Sequence, residues 1–100
     1  VLHLHDTRGL GLANVCAALE AGVRHFDTSI GGLGGCPFIP GATGNIATED
    51  TVYLLESMGF ETGIDLQELA QDTTKVAAFL GRELPGKLYK LSDALSARYA

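Results

Sequence analysis

The sequence predicts an α/β fold in which two parallel strands and their helices form the end of a larger array. Segments with the signals of strand, helix and strand follow one another over the first 29 residues. This order is a βαβ unit, which implies a right-handed crossover and a parallel strand pair. A long glycine-rich segment and further helical segments come next. Because parallel sheets are normally covered on both faces, two such strands are too few to stand alone.

The first three elements follow from ordinary local signals. Residues 1–5 are predicted as a short buried strand and residues 10–21 as a helix, since the apolar side chains of the second segment recur at helical spacing. Gly22 is placed to end that helix in a left-handed conformation. Residues 23–29 follow at once as the second strand.

A long loop separates these elements from the helical remainder. Residues 30–44 contain six glycines and two prolines, and a loop of this length inside a compact α/β protein is usually functional. A helix is predicted from about Asn45 to Met58, with Glu49 and Asp50 in its first turn, where the helix dipole favours acids.

Two more helices complete the prediction. Asp65 and Glu68 have the spacing of a capping box, with Asp65 as the cap, and the helix that they open is expected to end at Leu80 or Arg82. A break at residues 84–86 precedes a last helix over about residues 87–98.

Composition excludes some classes of partner. The 100 residues carry a net charge of −5, and the seven Lys and Arg form no basic stripe, so we expect no nucleic-acid partner. No apolar run reaches the roughly 20 residues that a membrane span needs, so we expect no membrane partner.

Four polar residues are candidates for chemistry. His3 and His5 project from the same face of the first strand, and two converging imidazoles suit a divalent metal, although two hydrogen-bonded strand histidines would show the same pattern. Cys36, in the glycine-rich loop, has the surroundings of a nucleophile or general acid–base, or is an ordinary loop cysteine. Asn45 is either a helix N-cap or an oxygen ligand for a hard cation. Asp27, on the second strand, is interpreted as structural.

Three motifs together resemble one family. Residues 3–9, His-Leu-His-Asp-Thr-Arg-Gly, resemble the HxHDTxG strand of the hydroxymethylglutaryl-CoA lyases. Residues 29–38, Ser-Ile-Gly-Gly-Leu-Gly-Gly-Cys-Pro-Phe, resemble their signature SVAGLGGCPY, with Gly31 in place of Ala and Phe38 in place of Tyr. Residues 44–50, Gly-Asn-Ile-Ala-Thr-Glu-Asp, resemble their GNxATED segment.

The resemblance implies a fold and a site. The chain would be the C-terminal part of a (β/α)₈ TIM barrel, with strands seven and eight and the active-site loop in residues 1–64 and C-terminal helices in residues 65–100. His3, His5 and Asn45 would bind Mg²⁺ or Mn²⁺, and Cys36 would be the catalytic thiol. The family's Asp ligand and its Arg partner come from the first barrel strand, which this chain does not contain.

The resemblance also implies a reaction. A lyase of this kind cleaves 3-hydroxy-3-methylglutaryl-CoA to acetyl-CoA and acetoacetate with the help of a metal, and Cys36 would deliver or relay a proton. A citramalyl-CoA type of lyase and a Claisen-type synthase of the same superfamily are the alternatives. We expect an acyl-CoA substrate, a homo-oligomer (a dimer) for the full-length protein, a cytoplasmic or mitochondrial location, and no activity in the isolated chain.

Overall fold

A computed structural model describes residues 1–34 and 44–91 of the chain. Within these ranges two short strands and three helices occur in the order β, α, β, α, α, with 3₁₀ turns at Ile30–Gly32 and Leu88–Leu91. The elements are β1 (Leu2–His3), α1 (Gly11–Glu20), β2 (Phe26–Asp27), α2 (Thr48–Ser57) and α3 (Leu66–Leu80).

The two strands form a parallel pair, as the βαβ pattern predicts. Leu2 lies opposite Phe26 and His3 opposite Asp27. Each strand is two residues long, shorter than predicted. The difference has a physical reason: a strand is defined by the ladder that it shares with its neighbours, and residues 1–34 and 44–91 supply only one strand partner for each.

Residues 44–47 bridge the ends of both strands. Asn45 pairs with His5 in an antiparallel bridge, and Ala47 pairs with Ser29 in a parallel one. The Ile46 N–H donates to the carbonyl of Leu4 at 3.2 Å. The prediction that a helix starts near Asn45 is therefore wrong, because the backbone there is already hydrogen-bonded to the strands. Helix α2 begins at Thr48 instead.

The helices bury two apolar clusters. One lies between α1 and the bridging segment and contains Val15, Leu19 and Ile46. The other lies between α2, α3 and the chain that follows, and it contains Val52, Leu66, Ala70, Leu84 and Tyr89. Both clusters place α2 between α1 and α3.

Helix α3 has the ends that the sequence predicts. The Asp65 side chain accepts a hydrogen bond from the Glu68 N–H at 3.1 Å, which is the N-cap half of the predicted box. The helix ends at Gly81, whose φ of +70° is left-handed.

The segment after α3 folds back onto α2. Asp50 is 9% exposed, and its carboxylate accepts hydrogen bonds from the backbone N–H groups of Lys87 at 3.0 Å and Leu88 at 2.8 Å. Of the helix predicted over residues 87–98, the described part is the 3₁₀ turn Leu88–Leu91, and residues 92–100 lie outside the described range. In the described parts of the chain, no helix combines the length and the apolar character needed to cross a bilayer.

Candidate functional site

Two histidine side chains meet where β1 ends. His3 and His5 lie on the same face of the strand, as the period of two predicts, and their Nε2 atoms are 3.0 Å apart. The rings are in an edge-to-face arrangement with centroids 5.0 Å apart. Both residues are exposed, so the two nitrogens face open space beside the strand end.

Asp27 orients one of these rings. Its Oδ2 atom lies 3.5 Å from His3 Nδ1, directly across the parallel pair. In the ring tautomer that has its lone pair on Nε2, the atom that faces His5, the Nδ1 proton lies on the side of this carboxylate. The interpretation of Asp27 as only structural therefore missed this contact. The βαβ pattern signals the parallel pair, whereas the register that places His3 and Asp27 side by side is a property of the fold.

Asn45 lies next to His5 through the backbone bridge, and its side chain is fixed by a contact of its own. Nδ2 donates to the carbonyl oxygen of Leu33 at 3.3 Å. This bond uses the amide nitrogen of Asn45, and Oδ1 is the acceptor end of the same amide group. Gly34 makes the contact possible, because a Cβ at this position would stand 3.0 Å from Nδ2. The N-cap alternative for Asn45 is wrong, because the N-cap residue of α2 is Ala47.

The spacing of the two histidines is compatible with a shared cation. Two ligands about 2.1 Å from an octahedral ion, at a right angle to each other, stand about 3.0 Å apart. A direct hydrogen bond between the rings has the same length. The distance is therefore compatible both with a metal-binding pair and with a hydrogen-bonded pair. Within residues 1–34 and 44–91 no group of three or more His, Cys, Asp and Glu side chains is placed to hold a metal.

A buried carboxylate lies behind these residues. Glu49, in the first turn of α2, is 0% exposed and accepts the Gly31 N–H at 2.8 Å through Oε2 and the Thr73 hydroxyl at 2.6 Å through Oε1. The sequence pattern assigned Glu49 only to the dipole of α2. Its two long-range partners, Gly31 and Thr73, have no signal in local sequence.

Cys36 lies outside the described residues, between Gly34 and Gly44. Its role as the catalytic thiol stays a prediction. Residues 30–34 and 44 of the glycine-rich segment are described, and the first of them form the 3₁₀ turn Ile30–Gly32, called the glycine turn below.

Comparison with known proteins gives a consistent result. Residues 1–76 match the family model described as HMGL-like. The chain is 57% identical over 79 residues to the hydroxymethylglutaryl-CoA lyase of Pseudomonas mevalonii, covering 79% of this chain and 26% of that protein. It is 52% identical over 89 residues to the (R)-citramalyl-CoA lyase of Chloroflexus aurantiacus, covering 89% of this chain and 28% of that protein. The chain thus spans little more than a quarter of the length of these relatives.

Solved structures agree on the fold. The HMG-CoA lyase of Bacillus subtilis superposes with a TM-score of 0.87 at 47% identity, over 90% of this chain and 30% of that one. The HMG-CoA lyase of Acinetobacter baumannii, in complex with coenzyme A and 3-methylmalate, superposes with a TM-score of 0.82 at 56% identity, over 89% of this chain and 29% of that one. The predicted fold class, part of a (β/α)₈ barrel, is confirmed. On these matches, the chain belongs to the HMGL-like family.

Proposed function

We propose that the complete protein, in which this chain is joined to the rest of the barrel, is a metal-dependent carbon–carbon lyase. It cleaves 3-hydroxy-3-methylglutaryl-CoA to acetyl-CoA and acetoacetate. The observation that carries the proposal is the meeting of His3 Nε2 and His5 Nε2, 3.0 Å apart, beside Asn45 at the end of a barrel strand. Active sites of this fold gather at the carboxyl ends of the strands.

The site residues of the chain have separate roles in the proposed reaction. His3, His5 and Asn45 hold the cation, and Asp27 keeps the Nε2 lone pair of His3 directed toward it. The cation, when bound, makes the tertiary hydroxyl of the substrate more acidic and orients the bond to be broken. A general base takes the proton of that hydroxyl as the C2–C3 bond breaks. The electron pair of the bond leaves on the acetyl-CoA carbon, and acetoacetate forms. The Cys36 thiol then gives a proton to the carbanion of acetyl-CoA.

The metal part of the proposal is tested by chelation and reconstitution. Purified complete protein is treated with EDTA, desalted and assayed for acetoacetate with Mg²⁺ or Mn²⁺ added back. We expect the activity of the wild-type protein to fall to background after chelation and to return with either ion. The activity of the His3→Ala protein is expected not to return. Full activity after exhaustive chelation contradicts the metal assignment.

The chain offers a matched pair of cysteines for the thiol assignment. Cys36→Ala is expected to lower kcat by at least 100-fold, since general acid–base groups contribute roughly 10²–10⁴-fold. Cys16→Ala is the control, because Cys16 is a partly buried residue of α1 and takes no part in the proposed chemistry. A Cys36→Ala enzyme as active as the Cys16→Ala enzyme contradicts the thiol's role.

A second candidate substrate, (R)-citramalyl-CoA, is supported by one of the relatives. The relative from Chloroflexus aurantiacus is named as a lyase of (R)-citramalyl-CoA and matches a longer part of this chain than the Pseudomonas mevalonii lyase does, 89 residues against 79. Assays of the two acyl-CoA substrates side by side decide between them by kcat/KM. A Claisen-type synthase is the remaining alternative, and release of free CoA from acetyl-CoA in the presence of 2-oxo acids would reveal it.

A further inference from the structure

Helix α3 reaches the candidate metal site through a chain of buried hydrogen bonds. It starts at Thr73, which is 0% exposed and lies in the middle of the helix. The Thr73 hydroxyl is 2.6 Å from Glu49 Oε1 and 2.9 Å from the Leu69 carbonyl. Since the hydroxyl has one proton, the shorter bond to a carboxylate takes it.

Glu49 carries the contact from α3 to the glycine turn. Its Oε2 accepts the Gly31 N–H at 2.8 Å, and the Gly31 carbonyl accepts the Gly86 N–H at 2.7 Å. Gly31 has a φ of +62° inside the turn. Its peptide groups are therefore held on both sides, by Glu49 and by the segment that follows α3.

The glycine turn in turn sets the position of Asn45. Leu33, which follows the turn directly, accepts the Asn45 Nδ2–H at 3.3 Å. A Cβ at Gly32 would lie 3.4 Å from the Asn45 backbone oxygen, so the turn also packs against the main chain of that residue. Any shift of the turn moves the carbonyl that orients the Asn45 amide.

We propose that Thr73 is a positioning residue for the metal site: its hydroxyl fixes the Glu49 carboxylate, which fixes the glycine turn and so aims the Asn45 amide oxygen. This inference rests on the proposed function in taking Asn45 as a ligand. Thr73 touches neither substrate nor metal. Groups in direct contact with a metal ligand typically change metal affinity by roughly 10–100-fold when removed. Thr73 acts only through Glu49 and the glycine turn, so we expect a smaller effect, about fivefold.

The variants separate the hydroxyl from the rest of the side chain. Thr73→Val keeps the shape and removes the hydroxyl, and Thr73→Ser keeps the hydroxyl and removes the methyl group. Thr74→Val is the matched control for loss of a helix hydroxyl. Thr74 Oγ1 lies 2.9 Å from the Ala70 carbonyl and 3.3 Å from the Tyr89 carbonyl, and it has no bond to Glu49 in the described contacts of α3. Glu49→Gln, which leaves a single acceptor oxygen for two donors, serves if Thr73→Val does not fold.

Two readouts are taken on the complete protein. The first is the NMR signal of the Asn45 side-chain amide and the Gly31 backbone amide, with selective ¹⁵N labelling of Asn and Gly in the metal-free protein. The second is the dissociation constant for Mn²⁺ alone, measured by titration calorimetry. We expect Thr73→Val to shift both signals and to raise the dissociation constant about fivefold, and we expect Thr73→Ser and Thr74→Val to behave as wild type.

Three outcomes would contradict the role of Thr73 or the proposed function. A folded Thr73→Val, or Glu49→Gln in its place, with wild-type Asn45 signals and wild-type Mn²⁺ affinity overturns the inference. A Thr73→Ser variant as impaired as Thr73→Val also overturns it, since packing rather than the hydroxyl would then matter. Failure of the wild-type protein to cleave 3-hydroxy-3-methylglutaryl-CoA contradicts the proposed function, and the NMR signals of the metal-free variants still decide the role of Thr73.

Discussion

Gly31 stands where the lyase signature has Ala, and the structure predicts that Ala does not fit this chain. A Cβ at Gly31 would overlap the Leu84 side chain at Cδ1, and it would also lie 3.0 Å from both Leu84 Cβ and Thr73 Cγ2. Leu84 is 2% exposed and Thr73 0%, so neither can swing into solvent. The φ of +62° adds a second cost for any residue with a Cβ.

The two costs set the size of the effect. A left-handed conformation costs an L-residue about 1–2 kcal/mol, and an added carbon in a packed core costs about 1–3 kcal/mol. We therefore expect Gly31→Ala to lower the free energy of unfolding by about 3 kcal/mol. At about 2–4 °C per kcal/mol for a large domain, the melting temperature falls by about 6–12 °C.

A double-mutant cycle with Leu84 tests the reason as well as the size. The assay is urea unfolding of the complete protein, followed by circular dichroism, with thermal melts beside it. Leu84→Ala alone is expected to cost about 2–5 kcal/mol. Because it removes the atom that the new Cβ would overlap, the double variant is expected to lose about 1–3 kcal/mol less than the two single losses added together. Gly31→Ala as stable as wild type, or strict additivity with Leu84→Ala, refutes the packing argument.

Three further predictions follow from the same contacts. Asp50→Ala leaves the N–H groups of Lys87 and Leu88 without their acceptor and should cost about 1–3 kcal/mol in urea unfolding, whereas Asp72→Ala, on the exposed face of α3, should cost less than 0.5 kcal/mol. Asp27→Asn should raise the Mn²⁺ dissociation constant by roughly 10-fold in calorimetry; an unchanged constant removes its orienting role. The isolated 100-residue chain should cleave no acyl-CoA; acetoacetate formed by it contradicts the need for the other barrel strands.

The sequence predicts those features of the site that depend on short-range periodicity. A period of two places His3 and His5 on one face, and the structure has their Nε2 atoms 3.0 Å apart. The βαβ pattern predicts the parallel pair, whose register brings Asp27 to His3. The shared face of the two histidines and the parallel pairing follow from strand geometry, whereas the register that sets Asp27 beside His3 is a property of the fold.

What the sequence does not predict is carried by long-range contacts. Asn45 lies in a different element from the one predicted, because the signals of a helix start carry no information on the backbone bonds of residues 44–47 to the strands. Thr73 gave no signal at all: a Thr in the middle of a helix has an unfavourable propensity, and only the fold shows that its hydroxyl reaches Glu49, 24 positions earlier.

The two acids at the start of α2 show how the segment 44–50 works as one physical unit. Glu49 and Asp50 are buried, and neither has a Lys or Arg partner among the contacts of the described residues. A buried charge is costly unless its oxygens are hydrogen-bonded, and both carboxylates are satisfied by backbone N–H groups or a hydroxyl. The positive end of the α2 dipole offsets a further part of the cost.

Glu49 and Asp50 connect the start of α2 to two different parts of the chain. Glu49 binds the glycine turn, and Asp50 binds the backbone at Lys87 and Leu88. Asn45, four residues before Glu49, bonds to the chain just after that same turn. The first turn of α2 therefore fixes a candidate ligand, the turn that orients it and the segment after α3 through bonds that share one rigid element. A substitution in the segment after α3 can for this reason affect the candidate metal site without any contact to it.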